Sequence, residues 1–216
     1  MPLLPPAFLF RFSLPVRSVA ALPRKETGFL ELPANCTLPD LSGFQESQPF
    51  GDIRLAWNSR GFGVSVAVKG KRQGPRCEPR MPEQSDGLQL WIDTRNTQNI
   101  HRASRFCHHF CILPGGNGPQ KDEPFARQLP IVRAREEAPL CDPEDLEIGV
   151  EWLDDGYRLD IWFPSHVLHG YEPDTNPRLG FYYWLRDSEL GAQFLSVGLD
   201  FPFTYDPSLW WTLELV

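Results

Sequence analysis

Three side chains that could bind a metal or act as nucleophiles alternate along one short segment: Cys107, His109 and Cys111. On an extended strand, residues two apart share a face and lie about 6.6–7 Å from each other, so His109 could share a zinc ion with either cysteine. All three could not, because positions four apart are separated by roughly 13 Å. A zinc site would need further ligands, such as His101 or Cys141, and the same distance excludes a Cys107–Cys111 disulfide.

The number of cysteines favours free thiols. Five cysteines in 216 residues are an odd and sparse set, which is not a disulfide framework and is typical of a reducing compartment. We therefore expect five free thiols and no tightly bound zinc.

Catalytic patterns are weak. Asp93 and Asp160 could form a carboxylate pair on neighbouring strands, as glycoside hydrolysis requires, but hydrogen-bond acceptors or calcium ligands are the commoner use of such residues. No G-x-S-x-G segment is present, and residues 115–118 lack the Lys-Ser/Thr ending of a phosphate loop. The acidic residues of 93–99 and 142–145 lack the spacing of an EF-hand. The sequence predicts no enzyme.

Hydrophobic alternation with a period of two dominates the chain and predicts strands. Turn-forming residues at 58–61 and 154–156 separate alternating runs and predict two hairpins. Residues 164–170 are predicted to form one short helical turn that ends at Gly170. The predicted strands are 8–14, 53–57, 62–68, 88–92, 106–112, 148–152, 157–163, 181–186 and 210–215.

These elements predict an all-β fold, an antiparallel β-sandwich with a jelly-roll or immunoglobulin-like two-sheet architecture. Pro is frequent, at 22 residues, and scattered, which disfavours long helices. We expect a single domain over 1–216, with 1–50 as an N-terminal strand and loop extension and 51–216 as its core.

The side of the predicted strands that faces away from the core carries an unusual set of residues. A solvated face usually shows Lys, Glu, Thr and Ser, whereas this one is aromatic and rich in Arg, Asp and Gln. Aromatic rings stack on sugar rings, and planar polar groups match pairs of hydroxyls. The sequence therefore predicts a saccharide or polyol site; in the alternative interpretation, a loop or partner covers this face and the aromatic residues belong to the core. The candidate ligand-binding residues are Gln89, Trp91, Asp93, Arg105, His109, Arg158, Asp160, Trp162, Tyr182, Trp184 and Arg186.

Charge and hydropathy limit the partners. The 21 Lys and Arg against 28 Asp and Glu give a net charge of −7, so we expect no nucleic-acid partner. No uncharged run approaches the ~18 residues of a membrane span, so we expect no membrane partner. Arg11 interrupts the apolar start of the chain, which makes residues 1–22 a poor secretory signal and favours a cytoplasmic location over export. The oligomeric state stays open.

Four segments in chain order resemble the family 9 carbohydrate-binding modules. Residues 85–95 are similar to that family's D-x-hydrophobic-x-hydrophobic-x-hydrophobic-D strand, and 156–164 to its Y-x-hydrophobic-E segment ending in Pro. Residues 179–187 resemble its l-G-f-n-y strand, and 211–215 its closing W-x-x-L-x-L strand. Together the segments span most of 50–216.

The resemblance implies a DOMON-like β-sandwich that binds sugar without catalysis, with no cofactor other than a structural calcium ion. The sequence departs from the family pattern at Gln89 and Asp160, where the family usually carries Glu, and residues 100–111 lie outside the pattern. We predict a non-catalytic carbohydrate-binding protein; the alternative is a structural or protein-interaction β-sandwich.

Overall fold

The computed structural model describes residues 6–22, 29–39 and 49–216, and nearly all of its regular structure is β. It has one short helix, α1 (Pro6–Leu9), and 3₁₀ turns at Ala34–Cys36, Pro82–Gln84, Pro143–Asp145 and Pro207–Leu209. The strands are β1 (Ser13–Ser18), β2 (Gly51–Asn58), β3 (Gly61–Lys69), β4 (Gly87–Asp93), β5 (Cys107–Asn117), β6 (Glu123–Leu129), β7 (Glu147–Leu153), β8 (Gly156–Pro164), β9 (Arg178–Asp187), β10 (Gly191–Phe194) and β11 (Trp211–Leu215).

The strands pair in the order β6-β5-β4-β9-β11-β1-β2-β3-β8-β7, and β10 pairs with β9 outside this path. We call β4, β5, β6, β9, β10 and β11 the front half, and β2, β3, β7 and β8 the back half. Strand β1 joins them, because Ser13–Val16 pair with β11 whereas Arg17 and Ser18 pair with β2. Both pairings of β1 are parallel, so the prediction of a wholly antiparallel arrangement is wrong at this strand.

The alternating runs that predicted hairpins do form them. Strands β2 and β3 pair from Gly51↔Val68 to Asn58↔Gly61, and β7 and β8 pair from Glu147↔Trp162 to Leu153↔Gly156. Short connections close both hairpins, so local pattern and turn chemistry decide their register.

The N-terminal alternation is not a strand where it was predicted. Phe8 lies in α1 and its ring stacks on Phe201 at 4.9 Å, whereas β1 begins at Ser13. Leu14 and Val16 are the buried residues of β1. The position of this strand depends on the edges of β11 and β2, which are distant in sequence.

Two further expectations differ from the structure. Residues 165–170 form hydrogen-bonded turns instead of a helix, with the Val167 amide donating to the Pro164 carbonyl at 3.0 Å. Strands β6 and β10 were not predicted; β6 pairs with the longer β5, and β10, which has four residues, pairs with the longer β9. No helix among residues 6–22, 29–39 and 49–216 is long and apolar enough to cross a membrane.

Aromatic contacts join the two halves across the core. The Phe110 and Phe163 rings lie 4.6 Å apart, and the Phe62 and Phe181 rings lie 6.1 Å apart. We call the sides that carry these residues the inner faces and the opposite sides the outer faces. Because side chains alternate along a strand, Leu88, Leu90 and Ile92 of β4 point inward and Gln89, Trp91 and Asp93 lie on the outer face of the front half.

Candidate functional site

The candidate residues do not share one surface, and the prediction that they do is wrong. Seven lie on the outer face of the front half, on β4, β5 and β9: Gln89, Trp91, Asp93, His109, Tyr182, Trp184 and Arg186. Arg158, Asp160 and Trp162 lie on β8 in the back half. Arg105 precedes β5, is exposed, and lies over the Phe106 ring at 5.2 Å. Alternation predicts which side of a strand a residue occupies, but it does not predict which strands become neighbours.

Strand register assembles an aromatic and polar patch on the front outer face. His109, Trp91 and Tyr182 are aligned across β5, β4 and β9, and Cys111, Gln89 and Trp184 form the next row. The His109 ring stacks on Trp91, with the centroids 4.4 Å apart and the planes 6° apart. The structure thus brings candidate residues from three strands together on this face.

Residues 195–205 cover this patch. Phe203, itself fully buried, stacks on Tyr182 at 4.4 Å and meets Trp91 edge-on at 5.4 Å. Trp91 and Tyr182 have 0% exposure, so neither ring can stack on a ligand in this conformation. Trp184 is half-buried, and its ring stacks on that of Phe194 at 5.7 Å. The open aromatic platform expected from the sequence is therefore closed here, with Trp184 at its rim.

The polar residues beneath the cover satisfy one another. Nε2 of His109 lies 3.1 Å from Oε1 of Gln89, whose Nε2 donates to the Glu83 carbonyl at 3.1 Å. Burial lowers the pKa of His109 to about 3, and it raises the pKa of Cys111, whose Sγ lies 3.7 Å from His109 Nε2. At neutral pH the imidazole is neutral and the thiol is protonated. A zinc ion would first require the buried thiol to lose its proton.

The two aspartates considered as a catalytic pair lie in opposite halves, so the expectation that they occupy neighbouring strands is wrong. Asp93 Oδ1 accepts a hydrogen bond from the Arg95 amide at 2.9 Å, and its Oδ2 accepts one from the Thr97 amide at 2.6 Å. Asp160 Oδ2 accepts the Leu30 amide at 2.9 Å. Burial raises the pKa of Asp93. Both carboxylates hold backbone segments in place.

The acidic residues considered for calcium do not converge. Asp142 instead caps the 3₁₀ turn that follows it, accepting the Glu144 amide at 3.0 Å. Within the described ranges, no three His, Cys, Asp or Glu side chains are grouped so that they could hold a metal ion. The structural calcium ion that the family resemblance implies stays a prediction, because calcium also binds backbone and amide carbonyl oxygens.

One Ser-His-Asp grouping was not anticipated from the sequence. His101 Nδ1 lies 3.2 Å from Asp206 Oδ2 and 3.2 Å from Ser208 Oγ. A catalytic relay needs the serine and the aspartate on opposite ring nitrogens, whereas both contact the same one here. Asp206 also caps the Pro207–Leu209 turn through the Ser208 amide, so the grouping is structural.

All five cysteines are free thiols. Cys36, Cys107 and Cys111 are buried, and Cys77 and Cys141 are half-buried. Burial raises the pKa of every one, to about 11 for Cys77 and Cys141 and about 12 for Cys107. The thiolate is the reactive form, so these thiols are poor nucleophiles in the folded protein.

Ellman's reagent is accordingly expected to label the native protein far more slowly than free glutathione at pH 8 and to titrate five thiols in denaturant, because unfolding restores ordinary pKa values. Fewer than five thiols in denaturant, or rapid labelling of the native protein, would contradict this expectation.

The fold is shared with solved carbohydrate-binding modules. A family 9 module from Caldicellulosiruptor kristjanssonii, solved with cellotriose, matches with a TM-score of 0.57 at 15% identity, over 94% of this chain and 93% of that one. A family 9 module from the same organism, solved with glucose, matches with a TM-score of 0.50 at 14% identity, over 77% and 76% of the two chains. A Bacteroides uniformis protein to which carbohydrate binding has been ascribed matches with a TM-score of 0.59 at 14% identity, over 96% and 100%.

No protein-family model and no curated protein matches the sequence. The likeness in fold extends beyond the segments that carry the sequence resemblance, because a match over 94% of the chain includes part of the first fifty residues. Strand β1, which joins the two halves, also lies among the first fifty residues. The chain thus has the fold of the family 9 carbohydrate-binding modules.

Proposed function

We propose that this protein binds a saccharide without cleaving it. The observation that carries the proposal is the match in fold, over nearly the whole chain, to modules solved with cellotriose or with glucose. The separation of Asp93 and Asp160 into opposite halves removes the one carboxyl pair that the sequence suggested for hydrolysis, since glycosidases need two carboxyl groups on either side of one bond.

The front outer face is the proposed site. The indole N–H groups of Trp91 and Trp184 are buried, and neither has a hydrogen-bond partner among the described residues. Buried indole N–H groups ordinarily find an acceptor. Sugar hydroxyls are acceptors, and the apolar face of a sugar ring stacks on an indole. Two such groups on adjacent strands of one patch support the placement of the site here.

Access to this site requires movement of residues 195–205. Phe203 takes the position in front of Trp91, Tyr182 and Trp184 that a sugar ring would occupy, with ring distances of 5.4, 4.4 and 6.2 Å. Trp184 is the most exposed of the three. We therefore infer that Trp184 is the first residue to contact the sugar. Arg186, which is also half-buried and lies on the same side of β9, is the neighbouring polar contact.

Calorimetric titration with glucose and cello-oligosaccharides tests the proposal. We expect dissociation constants in the micromolar to millimolar range, because each hydroxyl must give up water and the net gain per hydrogen bond is only ~1 kcal/mol. Trp184→Ala should weaken binding by about thirtyfold, equivalent to ~2 kcal/mol, as for other aromatic residues that make a main contact with a ligand.

Trp152→Ala is the matched control, because Trp152 is an exposed tryptophan on β7 in the back half. It should bind sugar as the wild type does, and circular dichroism should show all variants folded. If the folded wild type binds no sugar, the proposal fails. If Trp184→Ala binds as well as the wild type, the assignment of the site to the front outer face fails.

A further inference from the structure

We infer that a recess on the outer face of the back half is a second ligand site, for a neutral polyhydroxylated molecule about the size of one sugar ring. This back recess has a volume of about 220 Å³. Its ionisable lining residues are Glu31, Asp52, Arg54, Lys69, Glu151 and Arg158. The site does not overlap the front outer face, so it stands independently of the proposed function.

Small residues on β3 create the recess. Ser65 and Ala67 form its floor, between Arg54 on β2 and Arg158 on β8. At one end, residues 29–32 cross over the sheet, held by the Leu30 amide, which donates to Asp160 at 2.9 Å. The volume lies below the ~300 Å³ at which pockets for drug-sized ligands begin, so it suits a single ring better than a chain.

The two guanidinium groups of the walls are already held in place. Arg54 donates from Nε and Nη2 to Asp52 Oδ2 at 2.9 and 2.8 Å, and from Nη1 to the Leu32 carbonyl at 2.7 Å. Arg158 stacks over the Phe29 ring at 4.6 Å, and its Nη1 lies 3.2 Å from Glu151 Oε2. Because both side chains are already ordered, they lose less conformational entropy when a ligand binds to them.

The charge of the back recess selects the class of ligand. Its lining combines three carboxylates with three cations, so the formal charges cancel and an ion of either sign would meet repulsion as well as attraction. A hydroxyl avoids this conflict, because it donates to a carboxylate and accepts from a guanidinium at once. Several hydroxyls on one ring would use both kinds of partner.

Two buried polar atoms beside the back recess lack, in the part of the chain that the structure describes, a hydrogen-bond partner that a hydroxyl group could supply. Asp160 Oδ1 and Arg158 Nε are buried without a hydrogen-bond partner among the described residues. Asp160 is 1% exposed, and its Oδ2 lies 3.7 Å from Arg158 Nε. Because the carboxylate and the guanidinium that carry these two atoms are adjacent, one hydroxyl group between them can donate to Asp160 Oδ1 and accept from Arg158 Nε.

Titration of ¹⁵N-labelled protein with myo-inositol and with glucose, followed by NMR, tests the inference. We expect the amides of Ser65, Ala67 and Arg158 to shift in the wild type. Ala67→Leu enlarges a half-buried residue of the floor. It should raise the dissociation constant obtained from the shifts of the Ser65 and Arg158 amides at least tenfold. Ala138→Leu, the same change in a connection outside both sites, should behave as the wild type.

The NMR titration can contradict the proposal for one site without contradicting the proposal for the other. If Trp184→Ala abolishes shifts on the front half while Ser65 and Arg158 still respond, both sites are supported. If front-half amides respond and back-recess amides do not, or if Ala67→Leu retains the wild-type response, the inference about the back recess is overturned and the proposed function stands. If only the back recess responds, the front site is the one overturned.

Discussion

Lys71→Met is expected to destabilise the folded protein by about 3–5 kcal/mol, the usual effect of removing one partner from a buried ion pair. The ammonium of Lys71 lies 2.5 Å from Asp187 Oδ2, with side-chain exposures of 3% and 0%. Asp187 Oδ1 accepts the Glu189 and Leu190 amides. Without the ammonium, the carboxylate would stay buried with backbone donors alone. The pair also connects the segment after β3 in the back half to the end of β9 in the front half.

Urea unfolding at pH 7 measures this effect. Lys69→Met is the matched control, because Lys69 is exposed at the end of β3, and it should change the free energy of unfolding by less than about 0.5 kcal/mol. Combining Lys71→Met with Asp187→Asn should recover much of the loss, since no charge is then buried unpaired and the amide oxygen can still accept the Glu189 and Leu190 amides. A loss below about 1 kcal/mol for Lys71→Met would show that the pair contributes little.

The stability of the protein is expected to fall by about 5 kcal/mol between pH 7 and pH 4.5 through two buried histidines. Burial lowers the pKa of His108 to about 4 and that of His109 to about 3. In the unfolded chain both titrate near 6.5, so below that pH the unfolded state binds more protons and is favoured. Each histidine contributes a slope of up to ~1.4 kcal/mol per pH unit. The raised pKa of Asp93 opposes this trend, because the folded state gains that proton more readily.

His108 shows why the folded state resists the proton. Gln128 Nε2 lies 3.0 Å from His108 Nδ1, and His108 Nε2 lies 3.3 Å from the His169 carbonyl. Gln128 also donates to the Pro139 carbonyl and accepts the Cys141 amide, at 3.1 and 2.9 Å. A neutral imidazole that accepts at Nδ1 and donates at Nε2 satisfies this network, whereas an imidazolium has no acceptor to offer Gln128.

Urea midpoints at several pH values between 7 and 4.5 measure the slope. His108→Gln and His109→Gln each remove one of the two titrating groups. Each should therefore lower the slope of the free energy of unfolding against pH by up to ~1.4 kcal/mol per pH unit, whatever its effect on stability at pH 7. A free energy of unfolding that stays constant from pH 7 to pH 5 would contradict the expectation, as would variants with the wild-type slope.

Local patterns accounted for the elements whose partners are near in sequence. The alternation and turn residues of 53–68 and 148–163 predicted the β2–β3 and β7–β8 hairpins, because a short turn leaves one register that buries the apolar side. The N-terminal strand was predicted at the wrong place because the position of β1 depends on its pairing with β11 and β2. The residues around Phe8 and Ser13 carry no local pattern that indicates this pairing. Strand β10 spans four residues and was too short to show a period.

The sequence by itself determined that this protein is a β-rich chain and that β4, β5 and β9 carry aromatic and polar residues on the side opposite Leu88, Leu90 and Ile92. Only the tertiary structure decided that Arg158 and Asp160 lie on the other half and that Phe203 covers Trp91 and Tyr182. The physical reason is that alternation depends on one strand and its solvent, whereas the neighbours of a strand and the loop above it depend on burying apolar surface from distant parts of the chain.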